Sequence, residues 1–180
     1  MSKNILILMS SPRKSGNTST VCKAFAKGAK ESGHVVVQFN AGDLKIHPCL
    51  GCDYCGSHQG KCCQPDDMRD IYEAFERCDV IVLASPLYFY SISAQLKTMI
   101  DRLYAPGLYS QFKYGQKESV LIMTCAESSD DIFDQPKQYY NTLLKRIFPW
   151  KHRGEILVKG LGTIEGNPAL DEAYTLGKNI

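Results

Sequence analysis

The chain has no apolar run near the ~20 residues that a membrane-spanning helix requires, and its longest runs are strand-sized. It also has no excess of one charge: 21 Lys+Arg stand against 19 Asp+Glu, a formal net charge of +2, with the charges scattered along the chain. Without a basic stripe, neither nucleic acid nor an anionic membrane is an expected partner. A signal-peptide pattern is missing too. Lys3 and Asn4 lead into Ile5–Met9, and Arg13 and Lys14 follow closely, so a cytoplasmic protein is expected. Repeats of fixed period and low-complexity linkers are absent, and 180 residues at 44% hydrophobic suit one domain spanning 1–180 with a full core. Cysteine is not scarce. Eight of them, in a chain expected to be cytoplasmic, point to metal or redox chemistry rather than a disulfide frame.

Both common phosphate signatures are absent: G-x-x-x-x-G-K-[ST], which serves metal-bound nucleotides, and G-x-G-x-x-G, which serves dinucleotides. In their place the apolar run Ile5-Leu6-Ile7-Leu8-Met9 empties into Ser10-Ser11-Pro12-Arg13-Lys14-Ser15-Gly16-Asn17-Thr18-Ser19, where a helix begins. Hydroxyls, an amide, a glycine and two cations at the positive end of a helix dipole make a cradle for one anionic group. A terminal monophosphate held without metal, as in FMN, fits this loop. A polar surface turn before an ordinary helix is the plainer alternative.

Apolar runs alternate with helix-period segments along the whole chain. Strands are expected at Asn4–Met9, His34–Phe39, Val80–Ala84, Ser119–Thr124 and Glu155–Lys159. Helical stripes are Met68, Ile71, Tyr72 and Phe75; Leu96, Met99, Ile100 and Leu103; and Tyr140, Leu143, Leu144 and Ile147, all expected in the core. A last helix carries Leu170, Ala173 and Tyr174, with Asn167 as N-cap and Pro168 at its first position. Five strands and five helices in alternation specify an α/β fold: a flavodoxin-like doubly wound five-stranded parallel sheet, order 2-1-3-4-5, with helices on both faces. Ligands in such sheets bind beyond the carboxyl ends of the strands, at the switch point between strands one and three. Three unusual loops fall there: the phosphate-like loop, Ser85–Ser93 after strand three, and Thr124–Ser129 after strand four. The second supplies rings, hydroxyls and backbone groups suited to a flat heteroaromatic ligand, although each ring could equally shield the sheet end.

These residues resemble the NAD(P)H-dependent FMN reductases of the flavodoxin-like superfamily. The resemblance covers nearly the whole chain and rests on Ser11-Pro12-Arg13 with Gly16-Asn17-Thr18, on Ser85-Pro86-Leu87-Tyr88-Phe89, and on Ser93-Ala94-Gln95-Leu96-Lys97 with Asp101-Arg102. It implies that Ser11, Arg13, Ser15, Asn17, Thr18 and Ser19 hold the FMN phosphate. Pro86, Leu87, Tyr88, Phe89 and Ser91 would flank the isoalloxazine and ribityl chain, and Thr124 and Cys125 would border the far side. The chain departs from members that carry a glycine pair in this last loop. The implied activity is transfer of electrons from NAD(P)H through FMN to a quinone, a flavin or a redox protein, by a homodimer or homotetramer. No catalytic side chain is named, because the cofactor carries the chemistry.

A subgroup, the iron–sulfur flavoproteins, adds a compact cysteine motif after strand two. Here Cys49-x2-Cys52-x2-Cys55-x6-Cys62, followed by Cys63, lies in an insertion at about 41–65, long for a structureless loop. Three cysteines at intervals of three, with a fourth further on, can converge on a [4Fe-4S] cubane, while zinc sites more often separate two pairs by a longer stretch. A cluster on Cys49, Cys52, Cys55 and Cys62, zinc, and reduced thiols or a labile disulfide are the alternatives. An iron–sulfur flavoprotein carrier that does not use nicotinamide, and a metal-binding or redox-sensing module with a vestigial flavin pocket, are the rival functions. Cys22 and Cys78 are expected to be small buried hydrophobes.

Overall fold

A computed structural model of the chain describes residues 1–109, 117–160 and 162–180. Strand β1 (Asn4–Met9) lies at the centre of a sheet, parallel to β2 (Val35–Asn40) on one side and to β3 (Val80–Tyr88) on the other. Beyond β3 come β5 (Glu118–Thr124) and β6 (Lys151–Val158), also parallel, in the order β2-β1-β3-β5-β6. The five parallel strands thus take the expected order. A sixth, the two-residue β4 (Ser91–Ile92), folds back antiparallel on the end of β3.

Strict alternation along the strands sorts the core into two. Ile5, Ile7 and Met9 of β1, Val80, Val82 and Ala84 of β3, and Val120 and Ile122 of β5 face one side. They pack on Val21, Phe25 and Ala29 of α1 (Asn17–Glu31) and on Ala169 and Ala173 of α7 (Ala169–Lys178). Leu6, Leu8, Ile81, Leu83, Leu121 and Met123 face the other side. There they meet α3 (Met68–Arg77), α4 (Ala94–Arg102) and α6 (Asp134–Arg146). Each fully buried aliphatic side chain is worth about 1.5–3 kcal/mol over leaving it in water, so this sorting leaves the sheet no alternative register. Two short helices, α2 (Tyr54–Ser57) and α5 (Tyr104–Tyr109), lie outside the layers.

Helices α1 and α7 cross so closely that only glycine fits at two points. A Cβ on Gly28 would sit 2.0 Å from the Tyr174 carbonyl oxygen, and one on Gly177 would sit 2.1 Å from that of Phe25. The last helix starts at Ala169 with Pro168 at the cap position, one residue later than expected, and the Asn167 side-chain oxygen accepts the Ala169 N–H at 2.9 Å. Strand β6 begins at Lys151, four residues before the expected Glu155: Lys151 and His152 pair with Glu118 and Ser119, and a bulge leaves Arg153 as the extra residue before Gly154 pairs with Val120. Ile147 is a second departure. It lies past the end of α6 and is exposed, so it does not extend the buried stripe that Tyr140 begins. No described helix is long and apolar enough to cross a membrane.

Candidate functional site

At the switch point Ser10 follows the last residue of β1 and Ser85 lies in the C-terminal half of β3. Ser10 donates its N–H to the Ala84 carbonyl at 2.9 Å and its hydroxyl to the same oxygen at 3.1 Å. The Ser93 hydroxyl donates to Ser10 Oγ at 2.7 Å and accepts the Leu96 N–H at 3.3 Å, capping α4. Ser85 Oγ accepts the Ser93 N–H at 2.8 Å. All three serines are buried, and their bonds fasten the loop after β1 to the loop after β3. Periodicity gives no signal for this network, because its members lie in different loops.

Helix α1 begins without a side-chain cap, at Gly16, and has no acidic residue in its first turn. Its first N–H groups are therefore available to an anion. The loop before it is tight: Gly16 N–H reaches the Arg13 carbonyl at 3.0 Å, and Arg13 N–H reaches Ser11 Oγ at 3.2 Å. A Cβ on Gly16 would lie 2.9 Å from that of Arg13, so the turn needs glycine. The Arg13 guanidinium has no hydrogen-bond or ion-pair partner among the described residues, whereas Lys14 is turned away to Asp43 at 2.6 Å.

This loop opens on a cleft of about 540 Å³. Ser11, Arg13, Ser15, Asn17 and Thr18 line it at one end, Pro86, Leu87 and Tyr88 along one wall, and Thr124 and Cys125 along the other. Thr18 Oγ1 and Thr124 Oγ1 share a buried hydrogen bond of 2.8 Å that ties the start of α1 to the end of β5. Burial pushes the Cys125 thiol above its ordinary pKa, only partly offset by the N–H of Gly160. Gly16, Ala126 and Gly162 also line the cleft, though sequence patterns did not single them out as ligands.

Three expected residues are placed elsewhere. Ser19 is buried beneath the loop, its hydroxyl donating to the Lys14 carbonyl at 2.8 Å. Ser91 belongs to β4, paired with Tyr88. Phe89 stands fully in solvent. It and Tyr90 form the two-residue turn between β3 and β4, with φ of 47° and 60°. Such a turn is ordinarily made by Asn-Gly, and each bulky residue held there is strained.

The cysteine segment builds a second cavity, of about 420 Å³, lined by Cys49, Cys52, Cys55, Cys62 and Cys63. Its stem is held by buried Arg102. The guanidinium binds both carboxylate oxygens of Asp66, at 2.6 and 3.0 Å, and the His47 carbonyl at 2.8 Å. Asp66 also accepts the N–H groups of His47 and Met68, and Tyr72 donates its hydroxyl to the Arg102 carbonyl at 3.0 Å. The two ends of the segment, 19 residues apart at His47 and Asp66, are thereby joined over α3 and α4. Within the loop Cys52 Sγ lies 3.7 Å from Cys63 Sγ. The Tyr54 N–H and the Cys63 thiol lower the Cys52 pKa, while the same contact and burial raise that of Cys63. Among the described residues no three His, Cys, Asp or Glu side chains converge closely enough to hold a single metal ion. Cys22 and Cys78 are buried elsewhere, their thiols pushed up by burial to about 12 and about 11.

The sequence pattern of the NADPH-dependent FMN reductases matches residues 3–132, which include the β1 loop, the cysteine segment and the β3 loop. The chain belongs to that family. An iron–sulfur flavoprotein of Archaeoglobus fulgidus is 31% identical over 176 residues, covering 96% of this chain and 76% of that protein. One from Methanocaldococcus jannaschii is 35% identical over 54% of this chain and 50% of its own length, so the chain aligns with about half of that relative. Among solved structures, an NAD(P)H:quinone oxidoreductase from Methanothermobacter marburgensis superposes with a TM-score of 0.75 at 18% identity, covering 99% of this chain and 96% of the other. An azoreductase from Bacillus anthracis superposes with the same TM-score at 15% identity over the full length of both. At these identities the structures establish the flavodoxin-like fold. Membership of the FMN reductase family makes the chain an FMN-dependent oxidoreductase.

Proposed function

We propose that the cleft holds FMN with its phosphate against the start of α1, and that the chain passes electrons from a nicotinamide nucleotide to a second acceptor. The observation that carries this reading is the uncapped first turn of α1 beside a guanidinium that has no partner among the described residues, at one end of a cleft walled by strand-end loops. The residues present fit the cofactor. Ser11, Arg13, Ser15, Asn17 and Thr18 offer donors to the phosphate, and Gly16 lets the loop turn tightly against Arg13. Pro86, Leu87 and Tyr88 give the ring a firm wall, held in place by the Ser10–Ser93–Ser85 bonds. Thr124 and Cys125 close the opposite side. Bound there, FMN would supply hydride acceptance and electron transfer. The protein's part is to anchor, orient and leave one face open for donor and acceptor in turn.

The test is anaerobic mixing of the FMN-loaded chain with NADH and with NADPH. Loss of the oxidised-flavin absorbance with at least one of them is expected, followed by recovery on adding a quinone. If neither nicotinamide reduces the flavin while a reduced ferredoxin does, the chain is an electron carrier instead.

One cavity lined by every cysteine of the motif favours a second element of the reading: Cys49, Cys52, Cys55 and Cys62 hold a [4Fe-4S] cluster. Thiolates are the ligands such a cluster takes.

A further inference from the structure

The proposed tetrad uses four of the five loop cysteines and leaves Cys63 without a task. Cys63 is exposed, as is Cys52, and the sulfurs of these two lie 3.7 Å apart. Backbone and side-chain bonds hold them opposite each other. Gly51 and Asp53, with φ of 62° and 53°, reverse the chain on either side of Cys52. The Gln64 amide, next to Cys63, donates to the Pro48 carbonyl at 3.0 Å, so the two arms of the loop are tied beside the pair. Below them the Arg102–Asp66 bonds close the stem. Cys55 and Cys62 are less exposed than this pair.

We propose that Cys52 and Cys63 are a peroxide-oxidisable dithiol, a modification site apart from the flavin cleft. The oxidant is hydrogen peroxide. The Cys52 sulfur attacks one peroxide oxygen and the O–O bond breaks, giving a sulfenic acid and one water. The Cys63 sulfur then attacks the sulfenic sulfur, the S–O bond breaks, and a second water leaves with the thiol proton. Two thiols have lost two electrons, the peroxide has gained them, and the sulfurs close from contact to the ~2.05 Å of a disulfide. The consequence rests on the tetrad reading: a Cys52 engaged with Cys63 is withdrawn from the cluster ligands, so the loop has two mutually exclusive states.

The experiment treats the full chain, purified without oxygen and assayed for iron, with increasing peroxide, then alkylates free thiols and maps the peptides without reductant. A Cys52–Cys63 cross-link that dithiothreitol reverses is expected, with two fewer alkylatable thiols. Cys63→Ser should abolish the cross-link, leave a Cys52 sulfenic acid that dimedone traps, and retain the same iron and FMN as the parent. Cross-links between other loop cysteines, or full alkylation of Cys52 and Cys63 after peroxide, would overturn the dithiol. Iron-free protein that still forms the cross-link supports the dithiol and sinks the tetrad; iron-loaded protein that forms none does the reverse.

Discussion

Arg13 carries a charge with no hydrogen-bond or ion-pair partner among the described residues, beside the uncapped start of α1, and this sets its expected role. A charge-assisted hydrogen bond to a phosphate is worth about 1.5–3 kcal/mol, or about 10- to 100-fold in affinity. Arg13→Ala should therefore weaken FMN by about that factor and leave riboflavin, which has no phosphate, nearly unchanged; flavin fluorescence titration measures both, and equal losses would refute the assignment. Asp66 is the reverse case, a charge whose partners are all internal. Burial pushes its carboxyl up, but the Arg102 guanidinium and the N–H groups of His47 and Met68 outweigh that and pull it below the ordinary 3.8. Its folded pKa is lower than its unfolded one, so its contribution is complete above the unfolded value of about 3.9 and is lost as pH falls from there through the folded value. Asp66→Asn should flatten the acid limb of a plot of urea midpoint against pH. Asp66→Ala, which leaves Arg102 charged and unpaired at 1% side-chain exposure, should cost about 3–5 kcal/mol in urea unfolding.

Two elements carry constraints that only glycine or strain resolves. At the α1–α7 crossing, Gly28→Ala places a methyl against the Tyr174 backbone, which cannot rotate away as a side chain could. Overpacking of this kind costs about 1–3 kcal/mol, and Gly177→Ala should cost a similar amount at the reciprocal contact. Urea denaturation of the two variants checks this, and an unchanged midpoint in both would show that the helices can separate freely. The β3–β4 hairpin is the opposite situation, because Phe89 and Tyr90 hold left-handed backbone that each would relieve elsewhere, at about 1–3 kcal/mol apiece. Replacing the pair by Asn-Gly should raise thermal stability. A fall would mean that the exposed rings make stabilising contacts.

For the whole molecule, the cleft beside α1 and the cysteine cavity hang on the same helix. Ser93 caps the start of α4 beside the cleft, and Arg102 at its end clamps the cysteine segment. Protein made and purified without oxygen should carry about four irons and four sulfides per chain, as a cubane requires. Serine at any of Cys49, Cys52, Cys55 or Cys62 should remove them. Iron and sulfide analysis decides the matter, and anaerobic protein without iron would leave an FMN oxidoreductase with a thiol loop.

Much of this was legible in the amino-acid sequence because it depends on local pattern. Continuous apolar runs mark strands buried on both faces, stripes at helical period mark the covering helices, and their alternation leaves one sheet order and one place for a ligand. The hydroxyl- and cation-bearing loop after β1 and the clustered cysteines announce themselves in the same way. What only the tertiary structure decided is which way loop residues face. Thr18 and Ser19 are neighbours of like chemistry, yet one bonds Thr124 across the cleft and the other turns under the loop to Lys14. Phe89 follows Tyr88, yet the turn aims it at solvent. Ser10 meets Ser93 across 83 residues, and Arg102 finds Asp66 across 36. A loop side chain is oriented by partners brought from distant parts of the chain, and periodicity, which records only a residue's near neighbours, carries no trace of them.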